Sequence, residues 1–273
     1  MTTSLLLIGK PHSGKTTFIA QLCGRVESTA SSVRLYKPID DLTSIIESTR
    51  ALANGDEVKA TPTDKNSFLS LPLQVAGRKI DLACPDYGGE QINLIIEDRE
   101  VDSKWSKSVI ESNSWILFIK PSDLSTSYDL SNKTIKPEVL EGATGEADEY
   151  SISDQSFFIE LLQILLHTKG QDAHFINDTV QLTIVLTCWD EFETSSNPKD
   201  ELKKRLPLLL SFVESNWAPN RIKVLGLSSL GFSLKINENK IKYQEMGAEN
   251  FGYLIYEDGR KDADISQIIT QAL

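Results

Sequence analysis

The stretch Gly9-Lys10-Pro11-His12-Ser13-Gly14-Lys15-Thr16 reads G-x-x-x-x-G-K-[ST], a spacing suited to holding a chain of phosphates. Its two glycines let the backbone curl, so that consecutive N–H groups point at phosphate oxygens. The helix that follows adds the partial positive charge of its N-terminus. In such a loop the Lys15 ammonium reaches the β- and γ-phosphates, the Thr16 hydroxyl binds Mg²⁺, and Thr17 completes the first turn behind them. The flanks have the required order. Ser4-Leu5-Leu6-Leu7-Ile8 is an apolar run suited to a buried parallel strand, and Thr17 to Cys23 places Phe18, Ile19 and Leu22 on one helical face.

Two further segments lie where an α/β sheet would bring them to the same ligand. Asp86-Tyr87-Gly88-Gly89 follows the run Lys79 to Cys84 and reads D-x-x-G. Its carboxylate is placed to support Mg²⁺, and the Gly89 N–H to meet a γ-phosphate. Thr187-Cys188-Trp189-Asp190 follows the buried run Thr183 to Leu186. A carboxylate there accepts two hydrogen bonds from guanine N1–H and its amino group, a donor pair that adenine lacks. The competing reading makes Asp190 a helix N-cap before Glu191-Phe192-Glu193. Ser228-Ser229-Leu230 follows the run Ile222 to Leu227 and offers a backbone N–H to guanine O6.

In chain order these segments resemble a GTPase of the translation-factor-related class. The helix-like run Pro38 to Asn54, D-Y-G-G-E and T-C-W-D more narrowly resemble the bacterial double-GTPase group, associated by gene neighbourhood with predicted conflict and anti-phage systems. The resemblance implies a P-loop three-layer α/β sandwich of Ras-like type, mostly parallel, with one antiparallel strand. It implies GTP and GDP as ligands, Mg²⁺ as cofactor, hydrolysis of GTP, and switch loops that engage a protein partner. A dimer or larger complex is compatible with it.

Several residues depart from the class. Cys188 stands where a lysine usually packs along the base plane and the phosphate loop. Trp189 either offers a flat surface there or belongs to the core. Glu90 follows D-x-x-G where many members carry a glutamine that orients the attacking water, so slow turnover is compatible with this chain. His12 replaces the asparagine of potassium-activated members. The Mg²⁺-binding threonine of the first switch is Thr61 or Thr63, with spacing favouring Thr61.

The elements that must position these residues follow from hydrophobic patterning. Helices are expected over Pro38 to Asn54, in two pieces over 91–112, over Phe157 to Leu166, and over Lys199 to Trp217 with Pro207 kinking or restarting it. The run Ser67 to Val75 alternates with period two, although Pro72 suggests an edge strand. With Lys79 to Cys84 it forms a hairpin. Residues 122–150 are polar and acidic, an exposed insertion, and 231–273 form a C-terminal extension to a single domain. The 273-residue chain carries a net charge of −11, which argues against gripping nucleic acid through its overall field. Three scattered cysteines suit a reducing compartment. With no secretory signal or membrane-length apolar run, a soluble cytoplasmic protein is expected.

Overall fold

A computed structural model describes residues 2–26, 31–43, 45–58, 68–85, 90–124, 152–171, 175–192 and 196–273. Among these residues nine strands form one sheet. They are β1 (Thr3–Gly9), β2 (Val33–Leu35), β3 (Leu69–Val75), β4 (Arg78–Cys84), β5 (Ser112–Ile119), β6 (Gln181–Thr187), β7 (Ile222–Ser228), β8 (Tyr253–Ile255) and β9 (Lys261–Asp262). Their spatial order is β2-β3-β4-β1-β5-β6-β7-β8-β9. The five central strands β4, β1, β5, β6 and β7 run parallel. This is the expected α/β architecture with a mostly parallel sheet. Its antiparallel strand, β3, pairs with β4, one place removed from β1, and β8 also runs against its neighbours on the far side.

The register brings the carboxyl ends of the central strands to one edge. Gly9 lies beside Phe118, Ile119 beside Leu186, and Thr187 beside Leu227. In a parallel sheet that edge is where ligands bind. The three chemical segments with described residues therefore meet there because their strands are neighbours in register.

Two cores flank the sheet, separated by the period-two alternation of the strands. Leu5 and Leu7 of β1 pack with Phe18, Ile19 and Leu22 of α1 (Lys15–Val26), while Leu6 and Ile8 face the other layer. The first layer also receives α2 (Ile46–Ala53) through Leu52. The second holds α3 (Glu90–Asp98), α4 (Ser103–Glu111) and α5 (Asp154–Thr168). It also holds α6 (Pro198–Arg205) and α7 (Pro207–Asn216), which Pro207 separates by restarting the helix.

The helix expected from Pro38 begins only at Ile46, the first residue of α2. Ahead of it the Asp41 carboxylate accepts a hydrogen bond from the Thr43 N–H at 2.8 Å, a local turn that competes with helix. Its expected end is present: Gly55 adopts φ 67° and its N–H reaches the Leu52 carbonyl at 2.8 Å. Pro72 is not on an edge strand. Its carbonyl accepts from the Tyr36 N–H at 3.1 Å, just beyond the three-residue β2, so its own nitrogen faces the side where β2 has stopped. Most of the expected insertion lies outside the described residues.

The extension after β7 adds α8 (Asn237–Met246), β8, β9 and α9 (Gln267–Gln271). It is bound to the back of α1. The Gln21 amide donates to the Ala248 and Phe251 carbonyls and accepts from the Tyr243 hydroxyl. The buried Arg25 guanidinium donates to the Phe251 carbonyl and lies 3.8 Å from Asp264. Burial lowers the Arg25 pKa, and the surrounding carboxylates oppose that shift. A second, polar contact joins the extension to the end of α2. There Lys240 of α8 pairs with Asp56, and Gln244 donates to the Asn54 carbonyl.

Candidate nucleotide site

The loop leaves β1 at Gly9 and enters α1 at Lys15. Only glycine fits at position 9, because a Cβ would lie 3.0 Å from both the Cβ and the carbonyl oxygen of Phe118. The turn is closed by the Ser13 N–H on the Lys10 carbonyl at 3.2 Å, and it needs left-handed backbone at His12 (φ 61°) and Gly14 (φ 85°). Gly14 also packs against Thr187, whose Cβ would be 3.6 Å from an added methyl. Thr187 is itself buried and donates to the Ile119 carbonyl at 3.2 Å, so its side chain braces the loop.

Lys15 is 3% exposed, and its ammonium donates to the carbonyls of Gly9 and Lys10. A buried cation folded onto the loop's own carbonyls can exchange those weak acceptors for an anion. Lys10 differs. Its ammonium pairs with the buried Asp154 carboxylate at the start of α5 and stands 4.2 Å over the Phe157 ring. Its side chain belongs to that contact, leaving its backbone for a ligand. Pro11 is half-buried and His12 exposed, and Thr16 and Thr17 are half-buried on the first turn of α1. The buried Ser13 hydroxyl has no hydrogen-bond partner.

The base segment is a 3₁₀ turn, Trp189–Glu191, entered through Cys188 at φ 53°. Asp190 is exposed and lies inside this turn, so it is no helix N-cap. It accepts a hydrogen bond from the Ser228 hydroxyl, which in turn accepts from the Gly231 N–H at 2.8 Å. Asp190 and the Ser228–Leu230 loop are thus one hydrogen-bonded unit, with Ser229 and Leu230 half-buried beside it. Trp189 is core and offers no stacking face. Its ring lies on Gly226 of β7, where a Cβ would approach two ring carbons at 2.7 Å, and it meets Phe192 edge-on at 5.8 Å. Gly226 is not among the residues that sequence reasoning singles out, although a glycine inside the strand Ile222–Ser228 was its signal. Burial pushes the Cys188 thiol up to about 12, and nearby Glu191 adds to the shift.

Asp86, Gly89, Thr61 and Thr63 lie outside the described residues, and Glu90 opens α3 with its side chain undescribed. Among the described residues no group of three or more histidine, cysteine or acidic side chains could hold a metal ion. The Thr16 hydroxyl, half-buried on the first turn of α1, is an oxygen donor of the kind Mg²⁺ takes. No helix among the described residues is long and apolar enough to cross a membrane.

A family model for Double-GTPase 1 matches residues 6–272. The chain belongs to that family. Double-GTPase 1 membership covers the phosphate loop, the base segment and most of the C-terminal extension, and it supports GTP binding and a nucleotide-dependent switch. Similar solved structures include the Arl6 BBS3 small GTPase from Trypanosoma brucei with a bound nucleotide analogue. It is 13% identical, with 91% of this chain and 98% of that chain covered at a TM-score of 0.41. The signal recognition particle receptor SRb-GTP/SRX complex from Chaetomium thermophilum is also 13% identical, covering 85% and 93% at 0.41. No curated protein matches this chain.

Proposed function

We propose that this double-GTPase family member binds GTP with Mg²⁺, hydrolyses it to GDP and phosphate, and acts as a nucleotide-dependent switch. The observation that carries the reading is Lys15, a buried ammonium resting on two loop carbonyls at the N-terminus of α1. With a triphosphate in the loop, Lys15 and the backbone N–H groups of residues 12 to 17 offset charge on the β- and γ-phosphates. Thr16 would hold the metal, with Thr61 as a further hydroxyl ligand and Asp86 supporting it. Mg²⁺ supplies further neutralisation of the phosphates. The Gly89–Glu90 region positions the attacking water, and Asp190 reads guanine with Ser228 to Leu230 closing the base seat.

Ordering of the switch loops around the γ-phosphate presents a surface to a protein partner in the cytoplasm. The resemblance to the double-GTPase group supports a role in bacterial anti-phage defence. A second reading, an interaction module with little turnover, is favoured by Glu90 in place of a water-orienting glutamine. Thermal-shift measurements with GTP, GDP and ATP, each with Mg²⁺, test the ligand, and phosphate release tests turnover. GTP and GDP should raise the melting temperature and ATP should not. Lys15→Ala should abolish the shift while leaving the ligand-free melting temperature near that of the parent. A full GTP shift in that variant would refute the loop assignment, and a shift without phosphate release would select the second reading.

A further inference from the structure

Cys188 leaves the base segment without the cation that this position usually carries, and its thiol, held neutral by burial, cannot replace it. The neighbouring strand ends in a lysine. β5 pairs with β6 through Ile119 and Leu186, so Lys120 emerges one residue beyond that pair, level with the segment that Cys188 opens. The Lys120 ammonium lies near the neutral Cys188 thiol. It is held by Asp123 at 3.1 Å and Glu191 at 4.0 Å, one carboxylate from each side. Glu191 is fixed in turn by the Ser122 hydroxyl at 2.9 Å.

Lys120 also faces the phosphate loop. With His12, Ser13 and Asp123 it lines a cavity of about 270 Å³. Ser13 belongs to that wall, while its buried hydroxyl lies against Gly9 and has no hydrogen-bond partner. An orphaned buried hydroxyl is costly unless something completes it. Lys120 therefore sits between the phosphate loop, with which it lines the cavity, and Glu191 of the base segment.

We propose that Lys120 supplies from the end of β5 the cation that Cys188 omits, contacting the base-and-ribose end of a bound guanine nucleotide. This inference rests on the GTP-binding reading above. It assigns Lys120 a contact that every guanine nucleotide makes, whatever its number of phosphates. Asp123 and Glu191 are the ammonium's partners in the free protein and take no part in the contact itself.

The test is titration of the full chain, Lys120→Met and Asp123→Asn with GDP and with GTP in the presence of Mg²⁺. Loss of one charged contact predicts about a tenfold weaker affinity for Lys120→Met, by the same factor for GDP and GTP. Asp123→Asn keeps the ammonium and should bind no more weakly than the parent. Lys120→Gln carries the same expectation as Lys120→Met if the latter does not fold. Parent-like affinity in the lysine variant would overturn the inference. So would a loss confined to GTP, which would put the ammonium at the γ-phosphate, or an equal loss in Asp123→Asn, which would reduce Lys120 to an ion-pair partner. In those cases the parent still binds and the GTP-binding reading survives. If the parent binds neither nucleotide, both readings fall.

Discussion

Gly226→Ala isolates the support beneath the base segment. Gly226 has no left-handed φ, so alanine fits the backbone there. In open space the change would stabilise the chain by roughly 0.4–1 kcal/mol, by restricting the unfolded state. The space is not open. The new methyl would meet two carbons of the Trp189 ring at 2.7 Å and a third at 3.2 Å, and that ring is buried among Phe192 and the second core. Overpacking of a well-filled core costs about 1–3 kcal/mol and should outweigh the entropic gain. For a chain of this length each kcal/mol corresponds to roughly 2–4 °C in melting temperature. Trp189 immediately precedes Asp190, so the strain should also weaken GTP binding. Trp189→Phe replaces the indole by a smaller ring with room to shift from the new methyl. The double variant Gly226→Ala/Trp189→Phe should therefore lose less stability than the sum of the single variants, by about 0.5 kcal/mol or more. Denaturant unfolding and nucleotide titration of all four proteins read the cycle. A Gly226→Ala protein as stable as the parent, or additive losses in the cycle, would refute the packing argument.

Asp190→Asn turns an acceptor oxygen into a donor facing the N1–H and amino group of guanine, so GTP affinity should fall about tenfold or more. Xanthosine triphosphate, with a carbonyl in place of that amine, should bind the variant better than it binds the parent, as paired titrations would show. Burial alone would raise the Asp264 pKa, but hydrogen bonds from Ser266 and Ser32 outweigh it and hold it below the ordinary value of 3.8. A depressed folded-state pKa contributes stability above the ordinary carboxylate range that is lost as pH falls through the folded value. Unfolding free energy should therefore decline below about pH 4 in the parent, and Asp264→Asn should flatten that decline in a pH series of denaturant titrations.

The central sheet was legible because β1, β5, β6 and β7 are built around apolar runs, while β4 sets Ile80 and Leu82 on either side of Asp81, and the helices between them carry apolar faces. Other segments lack such a signal. β2 is three residues long, and α8 buries only Tyr243, so no stripe marks either. Ile39 and Leu42 continue the period of α2 backwards to Pro38, while the local turn at Asp41 to Thr43 interrupts the helix itself. At the site, spacing carried Gly9, Gly14, Lys15 and Asp190. It did not carry the direction of a side chain: Lys10 turns to Asp154, Trp189 enters the core, and Thr187 braces Gly14. Those outcomes depend on α5, β7 and β5, which reach the loop only through tertiary packing.

The tie between α1 and the chain's far end has a consequence for the order in which the protein is made. Arg25 is synthesised 226 residues before its partner, the Phe251 carbonyl. Until then the buried face of α1 lacks Tyr243, Phe251, Ile265 and Ile268, and its guanidinium lacks an acceptor. The strand partners of β1 arrive earlier, with β4 and then β5. The strand partners of β1 are thus available before the residues that hold the back of α1. Contacts of such long sequence separation close slowly. The helix that carries the phosphate loop is thus held by residues far from it in sequence, Tyr243, Ala248 and Phe251.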